Sequence, residues 1–163
     1  MRIIKLALIS FVFFFLLITG ISFFFPSHVR ISKAVDIQAP ADSILPVIRY
    51  PEKWKNWYPG ADTLALYVAD GITKGIRMPG NQVLLVTGYT DSTVTAANGI
   101  SGDERATMGW NLIRTGRGNT TVQWYMDFKL RWYPWEKFSS LLLENRYGPV
   151  MEQGLARLKK QTE

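Results

Sequence analysis

Few residues in this sequence have the types and spacing that chemistry requires. His28 is the single histidine and cysteine is absent. A disulfide framework, a thiolate metal site and a cysteine nucleophile are therefore excluded. His28 follows Pro26 at the end of a long apolar run, which makes it an interfacial polar residue rather than a base in a cleft. Asp103 and Glu104 are adjacent carboxylates with Arg105 beside them. Paired acid–base work needs carboxylates that converge across a cleft, so neighbours in a turn-rich segment read as solvated. Thr115-Gly116-Arg117-Gly118-Asn119-Thr120 carries two glycines, but a strand pattern follows it. It is a hairpin and not a phosphate loop, which would open a helix. Asn119-Thr120-Thr121 is a formal glycosylation sequon, meaningful only in a eukaryote. Asp36, Tyr89 and Asp127 are candidate bases by residue type alone. No catalytic constellation, metal-ligand set or cofactor site follows from the sequence.

Charge excludes a second class. Lys+Arg number 19 against 13 Asp+Glu, for a net charge of +6. The excess is scattered over Lys53, Lys55, Arg114, Arg117, Lys129, Arg131, Lys159 and Lys160. Nucleic acid would call for a continuous basic stripe, so it is not an expected partner. A basic surface resting on anionic lipid would suit the same charges.

The elements that must position these residues fall in two regions. Leu6 to Phe25 is 20 residues without a charge, and it holds seven of the nine phenylalanines. At about 1.5 Å per residue it spans roughly 30 Å, a bilayer core. Every face is apolar, which argues against a buried helix of a soluble domain. Arg2 and Lys5 precede it, as in a signal peptide. The run exceeds a usual signal core, and Phe23-Phe24-Phe25-Pro26 stands where a small-residue cleavage site belongs. The pattern favours an uncleaved, single-pass anchor over residues 1–28. The flanking charges slightly favour the soluble domain on the outer, periplasmic face.

Residues 29–163 hold all six tryptophans and all seven tyrosines. Val29, Ile31, Val35 and Ile37 alternate with polar neighbours and predict a strand. Ala39-Pro40-Ala41-Asp42 opens a helix, with Pro46 expected in its first turn. A second short helix, Glu52 to Trp57, would put Trp54 and Trp57 on one face. Strands follow from Thr63 to Ile100, with turns at Asp70-Gly71, Pro79-Gly80-Asn81 and Asp91-Ser92. Met108, Trp110 and Leu112 share one parity. Val122, Trp124, Met126, Phe128 and Leu130 do so without exception opposite Thr121 to Arg131. Trp135 to Lys160 is the last helix, with a stripe of Phe138, Leu141, Leu142, Met151, Leu155 and Leu158. Gly148-Pro149 should kink or break it. A sheet with one wet face must bury the other, and this helix is the only long amphipathic element available to cover it. The expected class is α+β: a membrane helix, then a curved antiparallel sheet around a C-terminal helix.

Three segments carry a resemblance to a known family. Val35-Asp36-Ile37-Gln38-Ala39-Pro40-Ala41-Asp42 is similar to the opening of the START/Bet v 1-like superfamily, also called SRPBCC or polyketide cyclase-like. Pro51-Glu52-Lys53-Trp54-Lys55-Asn56-Trp57 resembles its paired-tryptophan segment. Pro134 to Phe138 with Gly148 to Leu155 resembles the tail of membrane-anchored bacterial members. The resemblance covers about residues 29–161 and implies a helix-grip fold with an apolar cavity. It implies a hydrophobic small molecule or lipid as ligand, with cyclase or hydrolase activity, or a ligand-free interaction module, as alternatives on the same fold. On that reading Trp54, Trp57, Met108, Trp110, Leu112, Trp124, Met126, Phe128, Leu142 and Met151 line the cavity. The same residues would equally serve a filled core.

Overall fold

The computed structural model describes residues 2–80, 82–98, 106–116 and 118–163. Asn81, the Asp103–Glu104 pair and Arg117 lie outside the described residues. Helix α1 (Arg2–Ser22) is long and apolar enough to cross a membrane by length and composition. Strand β1 (His28–Ile37) follows, then helix α2 (Ala41–Arg49) and a 3-10 turn, Pro51–Asn56. The sheet continues with β2 (Leu66–Ala69), β3 (Ile72–Met78), β4 (Gln82–Tyr89), β5 (Thr93–Asn98), β6 (Ala106–Arg114) and β7 (Thr120–Lys129). The chain ends in α3 (Pro134–Ser139), a 3-10 turn at Ser140–Leu142, and α4 (Leu143–Thr162).

The seven strands form one curved antiparallel sheet in the order β1-β7-β6-β5-β4-β3-β2. Each hairpin from β2 to β7 joins neighbours, and β1 returns to pair with β7 from His28↔Lys129 to Ile37↔Thr120. Asp70 and Gly71 both take positive φ, 56° and 73°. That pair matches the twist of the β2–β3 hairpin, as a two-residue turn with both central residues left-handed should. The expected alternation holds on the concave face: Ile31 and Ile37 of β1, Trp110 and Leu112 of β6, and Val122, Trp124 and Met126 of β7 are buried. Helix α4 lies across this face, chiefly against β1, and buries Met151, Leu155 and Leu158.

Three local expectations need correction. Pro46 sits in the interior of α2, not its first turn. The helix tolerates it because Ala41, Ile44 and Ile48 are buried, and that packing outweighs one lost backbone bond. The segment Glu52 to Trp57 is a 3-10 turn, yet it still delivers Trp54 and Trp57 to the interior. The final helix does not break at Gly148-Pro149; it runs through them. Gly148 has no Cβ to clash with the ring of Pro149, which relieves the usual restriction on the preceding residue. The break comes earlier, at Ser139-Ser140. Their hydroxyls donate back to the carbonyls of Glu136 (2.9 Å) and Lys137 (2.7 Å), a local bonding pattern that competes with regular helix.

Candidate functional site

The concave side of the sheet is filled at its centre and open at one end. Trp54, Trp57, Trp110 and Trp124 are all fully buried. Their rings, with that of Tyr58, form one cluster: Trp110 lies 5.5 Å from Trp124, Tyr58 5.3 Å from Trp124, and Trp54 5.4 Å from Tyr58, centroid to centroid. Such edge and offset contacts add to the burial energy of large rings. Backbone carbonyls left by α2 hold two of the indoles. Trp54 Nε1 donates to Ile48 O (2.6 Å) and Trp57 Nε1 to Val47 O (3.2 Å). The indole N–H groups of Trp110 and Trp124 have no acceptor among the described residues.

Beside this cluster lies a pocket of about 500 Å³, within the usual range for small-molecule sites. Strands β6 and β7 supply Met108, Met126 and Phe128 as one wall, and β3 and β4 supply Met78 and Leu84. Tyr147 and Val150 of α4 form the roof, and Tyr58 closes the inner end. Polar groups are few. Gln82 and Asn98 meet at the rim, where Asn98 Nδ2 donates to Gln82 Oε1 (3.0 Å), and Arg146 stands at the start of α4. Burial raises the pKa of the Tyr58 phenol well above its ordinary value, with Tyr147 adding to the effect, so it stays neutral at physiological pH. Its hydroxyl lies 4.0 Å from Met108 Sδ. The wall is thus adaptable sulfur and flat aromatic surface, with the Tyr58 hydroxyl at the inner end and few other hydrogen-bonding groups.

Of the ten candidate lining residues, Met108, Met126 and Phe128 meet in this pocket. Trp54, Trp57, Trp110, Leu112, Trp124 and Met151 belong to the packed core behind it. Leu142 does neither: its side lies on the surface, 64% exposed, because the Ser139-Ser140 break rotates it out of the α4 stripe. Sequence reasoning missed Tyr58, Met78, Leu84, Tyr147 and Val150. Tyr147 was within reach, since it stands four residues before Met151 on the buried stripe.

The three candidate bases do not converge on the pocket. Asp127 points to the convex face, where Arg30 donates to both its oxygens (2.7 and 2.6 Å). Those bonds hold its carboxyl below the usual range and raise the Arg30 pKa in turn. His28 Nε2 lies 3.6 Å from the same carboxylate. Asp36 accepts a short hydrogen bond from the Thr121 hydroxyl at the far end of the sheet. A polar groove of about 400 Å³ lies there, lined by Asp36, Thr115, Asn119 and Lys159 among others. Tyr89 is exposed, with the Arg49 guanidinium 3.4 Å above its ring. Among the described residues no carboxylate lines the apolar pocket, and no group of three or more His, Cys, Asp or Glu could hold a metal.

Lys33 is the one charge on the concave parity of β1. Its ammonium meets Glu144 (2.7 Å) and Glu152 (2.9 Å) of α4, which raise its pKa and tie the strand to the helix.

Comparison with known proteins agrees with this geometry. Residues 28–163 match the family described as polyketide cyclase / dehydrase and lipid transport. No curated protein matches the chain in sequence. Among solved structures, a protein from Thermobifida fusca superposes with a TM-score of 0.62 at 15% identity, over 82% of this chain and 92% of that one. A START superfamily protein from Mycobacterium smegmatis gives 0.57 at 15% identity, over 82% and 96%. Norcoclaurine synthase from Thalictrum flavum, solved in complex with dopamine and hydroxybenzaldehyde, gives 0.56 at 16% identity, over 83% and 88%. At these identities the likeness is one of fold. With its helix-grip architecture and a family match from the first strand to the last residue, the chain belongs to the polyketide cyclase/dehydrase and lipid transport family.

Proposed function

We propose that residues 29–163 form a binding domain that holds a hydrophobic small molecule or lipid between the sheet and α4, and that residues 1–28 anchor it in a membrane. The reading is carried by the pocket of about 500 Å³ with methionine, leucine and aromatic walls and few polar groups. Affinity on this reading comes from removing apolar surface from water, at roughly 25 cal/mol per Å², and the rim groups orient the ligand's polar end. The fold is shared with enzymes, but the candidate bases Asp36, Tyr89 and Asp127 all lie away from the pocket, which favours binding over acid–base catalysis. The anchor reading rests on the uniformly apolar α1, whose side chains are exposed almost throughout. The flanking charges favour the domain on the outer face.

Mass spectrometry of lipids that co-purify with the gently extracted full chain tests the proposal. A stoichiometric amphiphile is expected, reduced about tenfold or more in Ala106→Trp, which puts a large ring at the pocket rim. No co-purifying amphiphile from the unaltered chain, or equal amounts from both proteins, would count against it.

A further inference from the structure

The pocket and the apolar helix α1 lie at the same end of the sheet. Strand register fixes this. β1 begins beside α1 at His28, opposite Lys129 of β7; Phe128 is opposite Ala106, Leu84 opposite Asn98, and Met78 opposite Gln82. Six of these residues line the pocket, so it lies at the end of the sheet from which α1 departs.

Between α1 and the domain there is no slack. Lys137 of α3 is only 4% exposed, and its ammonium donates to Phe25 O and Ser27 Oγ, both at 2.8 Å. The Phe25 ring meets Phe138 edge-on at 5.2 Å, and Leu130 N donates to Ser27 O (2.8 Å). Around this clamp the surface is apolar. Trp132 is 58% and Trp135 61% exposed; the Tyr133 ring stacks on Trp135 and lies tilted against Trp132, 4.8 Å from each. Leu141 and Leu142 are exposed beside them, and Phe24 is 91% exposed on the α1 side. Exposed tryptophan on a contiguous apolar patch costs solubility in water but suits the headgroup layer, where the ring body meets acyl chains and the N–H meets water.

We infer that the segment 132–142 is a foot that rests in the interfacial layer of the bilayer crossed by α1, so that the pocket mouth faces the lipid surface. The inference rests on the anchor reading and deepens it: the ligand class becomes a bilayer-resident amphiphile, entering from the membrane side. The four core tryptophans are shielded from this layer and Trp132 and Trp135 are not, which gives the test its contrast.

The full chain is reconstituted into phosphatidylcholine nanodiscs, with and without phosphatidylcholine brominated near the glycerol end of its acyl chains. Tryptophan emission is compared with that of a Trp132→Phe/Trp135→Phe variant. Brominated lipid is expected to quench the share of emission carried by those two rings, and to leave the variant's emission nearly unchanged. Equal quenching of both proteins, or quenching of neither, overturns the foot. An alkaline carbonate wash of native membranes separates the two readings. A chain that is washed off refutes the anchor and the foot together; a chain that stays bound without quenching refutes the foot alone.

Discussion

Replacing Gly154 with alanine sets two effects of opposite sign against each other. In an exposed helix interior the change is favourable by about 1 kcal/mol, because glycine has the larger backbone entropy to lose. Here the added Cβ would stand 2.7 Å from Trp124 Cζ3 and 2.9 Å from Pro59 Cδ, where carbon atoms normally keep about 3.5–4.0 Å. Neither neighbour can yield. Trp124 is fully buried on β7 and wedged against Trp57, Tyr58 and Trp110, and the Pro59 ring is rigid. Helix α4 must therefore retreat by roughly an ångström, and overpacking of this kind costs about 1–3 kcal/mol. Steric cost wins, for a net loss of about 1 kcal/mol and a Tm lowered by roughly 2–8 °C in a domain of this size. Thermal unfolding of the detergent-solubilised chain, followed by near-ultraviolet circular dichroism of the tryptophan cluster, measures it. Removing one wall with Pro59→Ala should make Gly154→Ala less costly, and that coupling is read from the four-protein cycle. A Gly154→Ala protein more stable than the parent would refute the close approach of α4 to Trp124.

Two predictions concern pH. The Asp127 carboxyl is held below its unfolded value near 3.9 by Arg30, so its contribution is complete above that value and is lost as pH falls through the folded one. Arg30 is half exposed, so screening limits the effect to about 1 kcal/mol or less; Asp127→Asn should flatten the acid limb of a stability–pH curve by that amount, and an unchanged limb would refute it. Tyr58 is raised by burial, so its contribution is complete below the unfolded value near 10 and is lost as pH rises toward the folded one. Spectrophotometric titration should show one tyrosine silent until the alkaline transition, and Tyr58→Phe should remove that late step; its persistence in the variant would refute the assignment.

What was legible in the sequence was what a period of two encodes. The unbroken run Val122 to Phe128 placed β7 and its concave face, and Met108 and Met126 followed into the pocket. Parity states which way a side chain points, not whether the space across the sheet is full. That was decided by the turn Pro51–Asn56, which drives Trp54 and Trp57 into the centre and leaves room only beyond Tyr58. Leu142 lies outside the expected lining for a related reason. The 3.6-residue stripe does not carry across Ser139-Ser140, where side-chain bonds to the backbone reset its phase. Lys33 stood in plain view as the exception on β1, but its partners lie more than a hundred residues away on α4.

That distance has a consequence for how the chain is made. β1 leaves the ribosome first among the strands, yet its only neighbour in the sheet is β7, finished some ninety residues later. At roughly 5–20 residues per second, β1 waits on the order of ten seconds with both edges bare. An inward-facing charge is one way a bare edge is kept from joining a wrong strand. Lys33 supplies it, and its repulsion of any foreign apolar face ends only when α4 arrives with Glu144 and Glu152. The pair of ion contacts that fastens the finished domain is, during synthesis, the release of a guard.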